Sequence, residues 1–281
     1  MALAGLIPGT PNGTVQPTMS GHGNRGRGKK SRRAAQRATA SMQIRYLRFN
    51  LFRALLEPFS QKSRVKRMQS YVALMGAKEN VSVLDLGGQP MIWDGVGSPV
   101  NLTILNRPGI AAVDYPSHHR ITYVTGDACD VGDFDAKSFE TVFSNSVIEH
   151  VGPADKRAAF AREVRRLGKS YWVQTPSKWF PIEAHCGMPF WWFYPERVRC
   201  YFIERWRVKL PAWTEMVEET TVLSAAELRS LFPEATILVE RYLGAPKYYV
   251  AYYRGDAAKP AHSTSAPVSA ADRGSAGLVF R

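Results

Sequence analysis

The strongest constraint on this chain is a series of short apolar segments, each ending in small or polar residues at close intervals. Val81 to Leu86 is followed by Gly87 and Gly88, Leu102 to Leu105 by Asn106 and Arg107, and Ile121 to Thr125 by Gly126 and Asp127. Thr141 to Ser144 is followed by Asn145 and Ser146, and Ser170 to Gln174 by Thr175 and Pro176. Runs this short and this rich in Val, Ile, Leu and aromatic residues read as buried strands. Between the fourth and fifth, Ala154 to Leu167 has helical spacing. Strands that alternate with helices or long crossovers predict a parallel sheet covered on both faces.

The end of the chain predicts a different connection. Ser224 with Glu227 three residues on forms a capping box and starts a helix running to Phe232. Ala235 to Tyr242 and Tyr248 to Tyr253 then read as two strands joined through Leu243, Gly244, Ala245 and Pro246. That link permits a hairpin, so the last strand is expected to be antiparallel. The expected fold is therefore α/β, an open, doubly wound, mostly parallel sheet of seven strands.

Charge divides the chain. The net charge is +13. Residues 1–67 hold fourteen Lys and Arg against one acid, Glu57, so they carry all of it, and the remainder is neutral. Residues 1–40, with their basic run Arg25 to Arg37, lack the apolar content to offset ordering entropy and read as a disordered tail. It is either a solvated tail or a contact arm for nucleic acid or an anionic membrane. The 41–67 segment is expected to be helical over 41–57 (Ile44, Leu47, Leu51, Leu55), stopped by Pro58. The domain proper is placed at 68–254, with an insertion at 176–223, and 255–281 reads as a second disordered tail. There is no secretory signal pattern, no apolar run of spanning length, and three scattered cysteines without a CxxC pair. A cytoplasmic location is the expectation.

The glycine string Asp85, Leu86, Gly87, Gly88 sits where an open α/β sheet binds ligands. It is not G-x-G-x-x-G, which argues against a dinucleotide. Asn106 lies nineteen residues past Gly87, near the place of a ribose-contacting group. Asp127, in Gly126-Asp127-Ala128, carries a carboxylate able to accept from an adenine amino group. Asn145 to Val151 is a polar cluster on the same edge.

The series D-L-G-G (85–88), L-N (105–106), G-D-A (126–128), N-S-V-I-E-H-V (145–151) and Q-T-P (174–176), in this order and spacing, resembles the class I S-adenosylmethionine-dependent methyltransferases. It is most similar to the bacterial branch labelled methyltransferase type 11. The similarity covers about residues 44–254 and includes F-P-I-E-A-H (180–185) and L-G-A-P-K-Y-Y-V-A-Y (243–252). It implies a Rossmann-like methyltransferase fold with S-adenosyl-L-methionine as cofactor. Asp85, Gly87 and Gly88 would line its methionine moiety and ribose, with Asn106 and Arg107 on the ribose side. Asp127 and Ala128 would flank the adenine, and Asn145, Val147 and Glu149 would sit by the methyl group. Two positions depart from the family pattern: motif one is D-x-G-G rather than x-x-G-x-G, and Asn106 replaces an acid.

A hydroxyl nucleophile would call for a general base. His150 and His185 follow the fourth and fifth strands, and His185 is favoured because loops past the fifth strand face the substrate in this fold. Glu149 and Glu183 would orient or neutralise a ring. Helical H-x-x-E spacing is absent, so no metal is expected. The aromatic run Met188 to Pro195, with Trp206, Leu210 and Trp213, forms an expected cap, either a ring-stacking acceptor pocket or a satellite core. Expected acceptors are a small molecule, a glycan or a lipid-linked compound. Peripheral membrane contact is open, and nucleic acid contact is expected only through the basic tail. A non-catalytic cofactor-binding sensor or scaffold, and an RNA methyltransferase recruited by the tail, remain alternatives. The oligomeric state is not legible.

Overall fold

Strand β1 (Ser82–Leu86) sorts its side chains by parity. Val83 packs on one side of the sheet, Leu84 and Leu86 on the other. The same alternation runs through the other central strands. Val142 and Phe143 face opposite sides, as do Val173 and Trp172. A strand buried on both faces must be apolar throughout, which is why these segments lack the alternation of a half-exposed strand.

The computed structural model describes residues 63–76 and 78–255. The expected helix at 41–57 and both tails lie outside these. Strands β2 (Asn101–Asn106), β3 (Arg120–Thr125), β4 (Phe139–Asn145) and β5 (Gly168–Pro176) pair in parallel around β1. Strands β6 (Thr236–Tyr242) and β7 (Ala245–Tyr253) complete a seven-stranded sheet of order β3-β2-β1-β4-β5-β7-β6. The expected α/β sheet and antiparallel last strand are present, with β7 inserted between β5 and β6. The hairpin turn is tighter than expected. Leu243 and Gly244 both take positive φ, 49° and 81°, so two residues suffice.

One face is covered by helix α1, residues 63–75. Met68 and Tyr71 are buried, three residues apart on one side of it. Tyr71 sits edge-on to Trp93, Phe143 and Trp172, with ring centroids 5.6, 5.2 and 5.7 Å away. The other face is covered by α2 (Ala154–Leu167) through Phe160, Ala161, Val164 and Leu167, and by the short α5 (Ala225–Leu231). The N-cap half of the expected capping box of α5 is formed, the Ser224 hydroxyl accepting from the Glu227 amide at 3.1 Å, while the Glu227 carboxylate pairs with Arg157. Between α2 and α5 in the chain, the cap comprises a 3-10 turn at Trp191–Phe193, α3 (Glu196–Arg207) and α4 (Pro211–Glu219).

Asp85 shares its parity with Val83 and points into the α1 side of the sheet. It is fully buried, and its Oδ2 accepts a hydrogen bond from Trp93 Nε1 at 2.8 Å. Burial drives its pKa from the ordinary carboxylate value up to about 7, and the Trp93 bond offsets this only in part. Gly88 closes over it: a Cβ there would come within 2.0 Å of Asp85 Oδ2.

Two outcomes follow from this packing. Gly88→Ala is expected to cost about 1–3 kcal/mol or more, because the carboxylate or the loop must give way. Combined with Asp85→Ala the cost should fall well short of the sum, and additive costs in denaturant unfolding would show that the carboxylate is not what excludes the methyl. The second outcome concerns pH. The folded pKa of Asp85 lies above its unfolded value near 3.9. Between the two the folded state holds the extra proton, so its contribution is full below about pH 4 and lost as pH rises through 7. The span corresponds to at most about 4 kcal/mol. The stability of wild type relative to Asp85→Asn should therefore fall between about pH 4 and pH 7; parallel unfolding profiles would contradict it.

Candidate functional site

The C-terminal ends of the parallel strands open into one cavity of about 960 Å³. It lies at the switch point of the sheet, where connections from β1 and β4 leave in opposite directions. Gly87 begins its floor. Its φ is +72° and its amide donates to the Leu105 carbonyl at 2.8 Å. A Cβ at Gly87 would lie 2.6 Å from Val147 Cγ2, so both the backbone conformation and the space demand glycine.

Most of the residues singled out from the sequence line this cavity. Gly87, Asn106, Arg107, Asp127, Ala128, Asn145 and Val147 do, as do His150 and His185. Asp85 and Gly88 do not: they form the buried layer described above, and Gly88 accommodates Asp85 rather than a ligand. Asn106 Nδ2 donates to the Gly88 carbonyl at 3.3 Å, tying β2 to the glycine turn. Asp127 Oδ1 accepts from the Cys129 amide at 2.8 Å, and that bond leads the effects holding its carboxyl below the ordinary range. Its Oδ2 is paired with Lys156 at 3.4 Å. A cavity of this volume takes a ligand of nucleoside size with room beside it. An acceptor on Asp127 and the amide of Asn106 suit an adenine and a ribose, so the groups present fit an adenosyl ligand.

At the other end, the chain leaves β4 through Ser146, a non-glycine residue at φ 59°. That strained position is fixed by two bonds to β5: the Ser146 amide donates to the Gln174 carbonyl at 3.0 Å, and its hydroxyl donates to Gln174 Oε1 at 3.1 Å. The next residues form a 3-10 turn, Ile148–His150. Glu149 points inward and is fully buried. Its Oε2 accepts from the Thr175 hydroxyl at 3.1 Å, while Oε1 has no hydrogen-bond partner among the described residues. Burial raises its pKa.

His150 and His185 meet with their Nε2 atoms 3.0 Å apart. His185 Nδ1 lies 2.8 Å from Glu183 Oε1, while Glu183 Oε2 accepts from the amides of His185, at 2.6 Å, and Cys186. Burial alone would raise the Glu183 pKa, but the ring hydrogen bond and charge of His185 and the Cys186 amide outweigh it and leave it lowered. For His150, burial and then the neighbouring ring push the pKa down to about 3, so it is neutral. Glu149, His150 and His185 each offer a ligand atom, all within 4.8 Å of one another, although no metal site is expected from the sequence.

Three features of the site escape a reading of the sequence. Arg67, counted there with the basic segment, is buried: it donates to Asn145 Oδ1 and stacks over the Tyr248 ring at 4.2 Å. Helix α1 contributes Arg64, Val65 and Met68 to the cavity wall, and Met68, Tyr71 and Met75 do stand at helical spacing. The cap contributes Glu215, Met216 and Glu219 from α4, and none of its aromatic rings. Those rings pack on each other instead. Trp191 lies 5.3 Å from Trp206, which meets Trp213 at 4.9 Å. Of the run itself only Trp191 is buried in this satellite cluster, Phe190 and Phe193 are about half exposed, and no ring of the run lines the cavity.

No helix among the described residues is long and apolar enough to cross a membrane. A methyltransferase-domain family profile matches residues 105–170, from the end of β2 into β5. No curated protein matches the chain. Among solved structures, it is similar to a putative methyltransferase of Haloferax volcanii solved with a methyltransferase activator, at 19% identity over 68% of this chain and 77% of that one, TM-score 0.38. It is also similar to a putative methyltransferase from an antibiotic biosynthesis pathway of Anabaena variabilis, at 14% identity over 63% and 64%, TM-score 0.42. A third is phosphoethanolamine N-methyltransferase 2 of Haemonchus contortus, at 11% identity over 68% and 52%, TM-score 0.42. The fold rests on the strand order itself, and the stretch that matches the methyltransferase-domain family lies inside that sheet.

Proposed function

We propose that this protein transfers a methyl group from S-adenosylmethionine to a polar small molecule, or to the end of a glycan or lipid-linked compound, held in the same cavity. The observation that carries this reading is the division of one cavity into two ends. Gly87, Asn106, Asp127 and Ala128 suit an adenosyl group, and His150 and His185 lie across from them past Asn145 and Val147. Bound at the first end, the cofactor supplies an activated methyl group on a sulfonium.

The chain's own task is to hold the acceptor in line and manage its proton. Asn145 is fixed by Arg67 and Val147 by its packing on Gly87, so the wall between the two ends is rigid. His185 is placed to receive the proton of an attacking hydroxyl at Nε2, because Glu183 holds Nδ1 and would stabilise the ring once charged. His150 positions the Nε2 edge, and Glu149 sits directly behind it. The acceptor meets the side chains of α1 and α4, which mix Met68 and Met216 with Arg64, Glu215 and Glu219. That lining favours a polar molecule carrying some apolar surface.

Calorimetric titration of the full chain tests this. S-adenosylmethionine and S-adenosylhomocysteine should bind and NAD should not. Asn106→Ala and Asp127→Ala should each weaken adenosyl binding about 3- to 10-fold, the worth of one hydrogen bond. His185→Ala should leave that affinity within about twofold while lowering turnover of an acceptor found by screening about 10²- to 10⁴-fold. Failure of both adenosyl ligands to bind would overturn the reading.

A further inference from the structure

The hydrogen bonds around the histidine pair assign its protons. His185 Nδ1 faces a carboxylate oxygen of Glu183 at 2.8 Å and so carries hydrogen. The Thr220 hydroxyl donates to the Met216 carbonyl at 2.8 Å, which leaves its oxygen only to accept. His150 Nδ1 lies 3.4 Å from that oxygen, and in the tautomer that hydrogen-bonds to it Nδ1 carries the hydrogen. In neutral rings both Nε2 atoms are then bare lone pairs. They face each other across 3.0 Å. Beside them lies Glu149, fully buried, its Oε1 without a hydrogen-bond partner among the described residues. Two ring lone pairs and a buried carboxylate oxygen thus converge as three acceptors.

We propose that Glu149, His150 and His185 bind a divalent cation of the zinc class at the acceptor end of the cavity. The ligand atoms lie within 4.8 Å of one another. Metal–nitrogen bonds of about 2.0–2.1 Å at a tetrahedral centre place two ring nitrogens about 3.3 Å apart, so the rings need separate by only a few tenths of an ångström. Two imidazoles and one carboxylate are the donor set of an open zinc site, whose fourth position would face the cavity. The surrounding groups already have the form that orients such ligands. Glu183 holds the far nitrogen of His185, Thr220 that of His150, and Thr175 one oxygen of Glu149. The absence of H-x-x-E spacing does not bear on this arrangement, because the ligands come from two loops thirty-five residues apart, brought together by β4 and β5 lying side by side.

The cation binds independently of the methyltransferase reading, but its role rests on that reading. With it in place the ring lone pairs are committed to the metal, and an acceptor hydroxyl at the fourth position loses its proton to water. Without it, His185 takes that proton. The two roles are alternatives for one pair of lone pairs.

The test is titration of the chelator-treated full chain with Zn²⁺ by calorimetry, and with Co²⁺ by its visible absorption, alongside S-adenosylmethionine titration of the same preparations. One Zn²⁺ per chain is expected, with a tetrahedral Co²⁺ spectrum. His185→Ala should abolish both, and Glu183→Gln, which leaves all three ligands in place, should weaken Zn²⁺ about 10- to 100-fold. Adenosyl binding retained in both variants shows that they fold. Stoichiometric adenosyl binding with no Zn²⁺ binding overturns the metal site and leaves the methyltransferase reading standing. Zn²⁺ binding that survives His185→Ala also overturns it, since the ion then sits elsewhere. Zn²⁺ binding lost in His185→Ala, in a wild type that binds no adenosyl ligand, keeps the site and removes the methyltransferase reading.

Discussion

A carboxylate buried without a cation holds the floor of the cavity together. Asp85 has Trp93 as its single hydrogen-bond donor and Gly88 as its lid. Removing a charged carboxylate from water costs far more than one indole hydrogen bond returns, so the group holds its proton up to about pH 7. In that form it tolerates the aromatic layer around Trp93, into which Tyr71 of α1 inserts edge-on. The glycine turn, the 3-10 turn at Pro90–Gly95 and helix α1 therefore share one small polar contact. The residue that family resemblance places against a ligand acts here one layer below it, and it positions the turn that does border the cavity.

The sheet was legible because the local and global preferences agree. Each parallel strand is an apolar run ended by small or polar residues, and every strand lies within two residues of its expected bounds except β7, which begins three residues early at Ala245 because Leu243 accepts a left-handed conformation. The helix α2 and the Ser224 N-cap were legible for the same reason: their signals are local. What failed depends on distant partners. Arg67 stands among Arg64 and Lys66 in a basic stretch, and nothing nearby tells that it is buried. Its partners Asn145 and Tyr248 come from β4 and β7. The residues after Gly88 form a 3-10 turn started by Pro90, a turn the sequence reading did not assign, and its Trp93 packs onto Asp85.

The candidate site divides in the same way. Gly87, Asn106, Asp127 and Asn145 were found because strand ends on one edge of a parallel sheet must converge. His150 and His185 were found individually, but their pairing was not readable. Whether two loop histidines meet depends on the pairing of β4 with β5, the turn at Ser146 and the path from Pro176 to Glu183. Residue spacing along the chain detects metal ligands only when one helix or one loop supplies them. Ligands donated by adjacent parallel strands leave no periodic mark.

The cap shows how composition misleads when it is read without packing. A run with two tryptophans, two phenylalanines and a tyrosine invites a stacking pocket, yet an insertion of this length must first fold. Helices α3 and α4 are short and contribute no residue to either core of the sheet. Their stability has to come from the rings themselves, and Trp191, Phe202, Trp206 and Trp213 supply it by packing edge-on and tilted against one another. The aromatic residues are thus spent on holding α4 in place. What α4 then offers the cavity is Glu215, Met216 and Glu219, one turn of helix whose C-terminal end is fixed to the site by the Thr221 amide donating to the Glu149 carbonyl at 2.8 Å. On the proposed function, selection among acceptors falls to this turn and to the turn of α1 that also lines the cavity, two elements outside the sheet. Such surfaces change readily without disturbing the strand ends, so acceptor choice is separable from the cofactor end of the cavity.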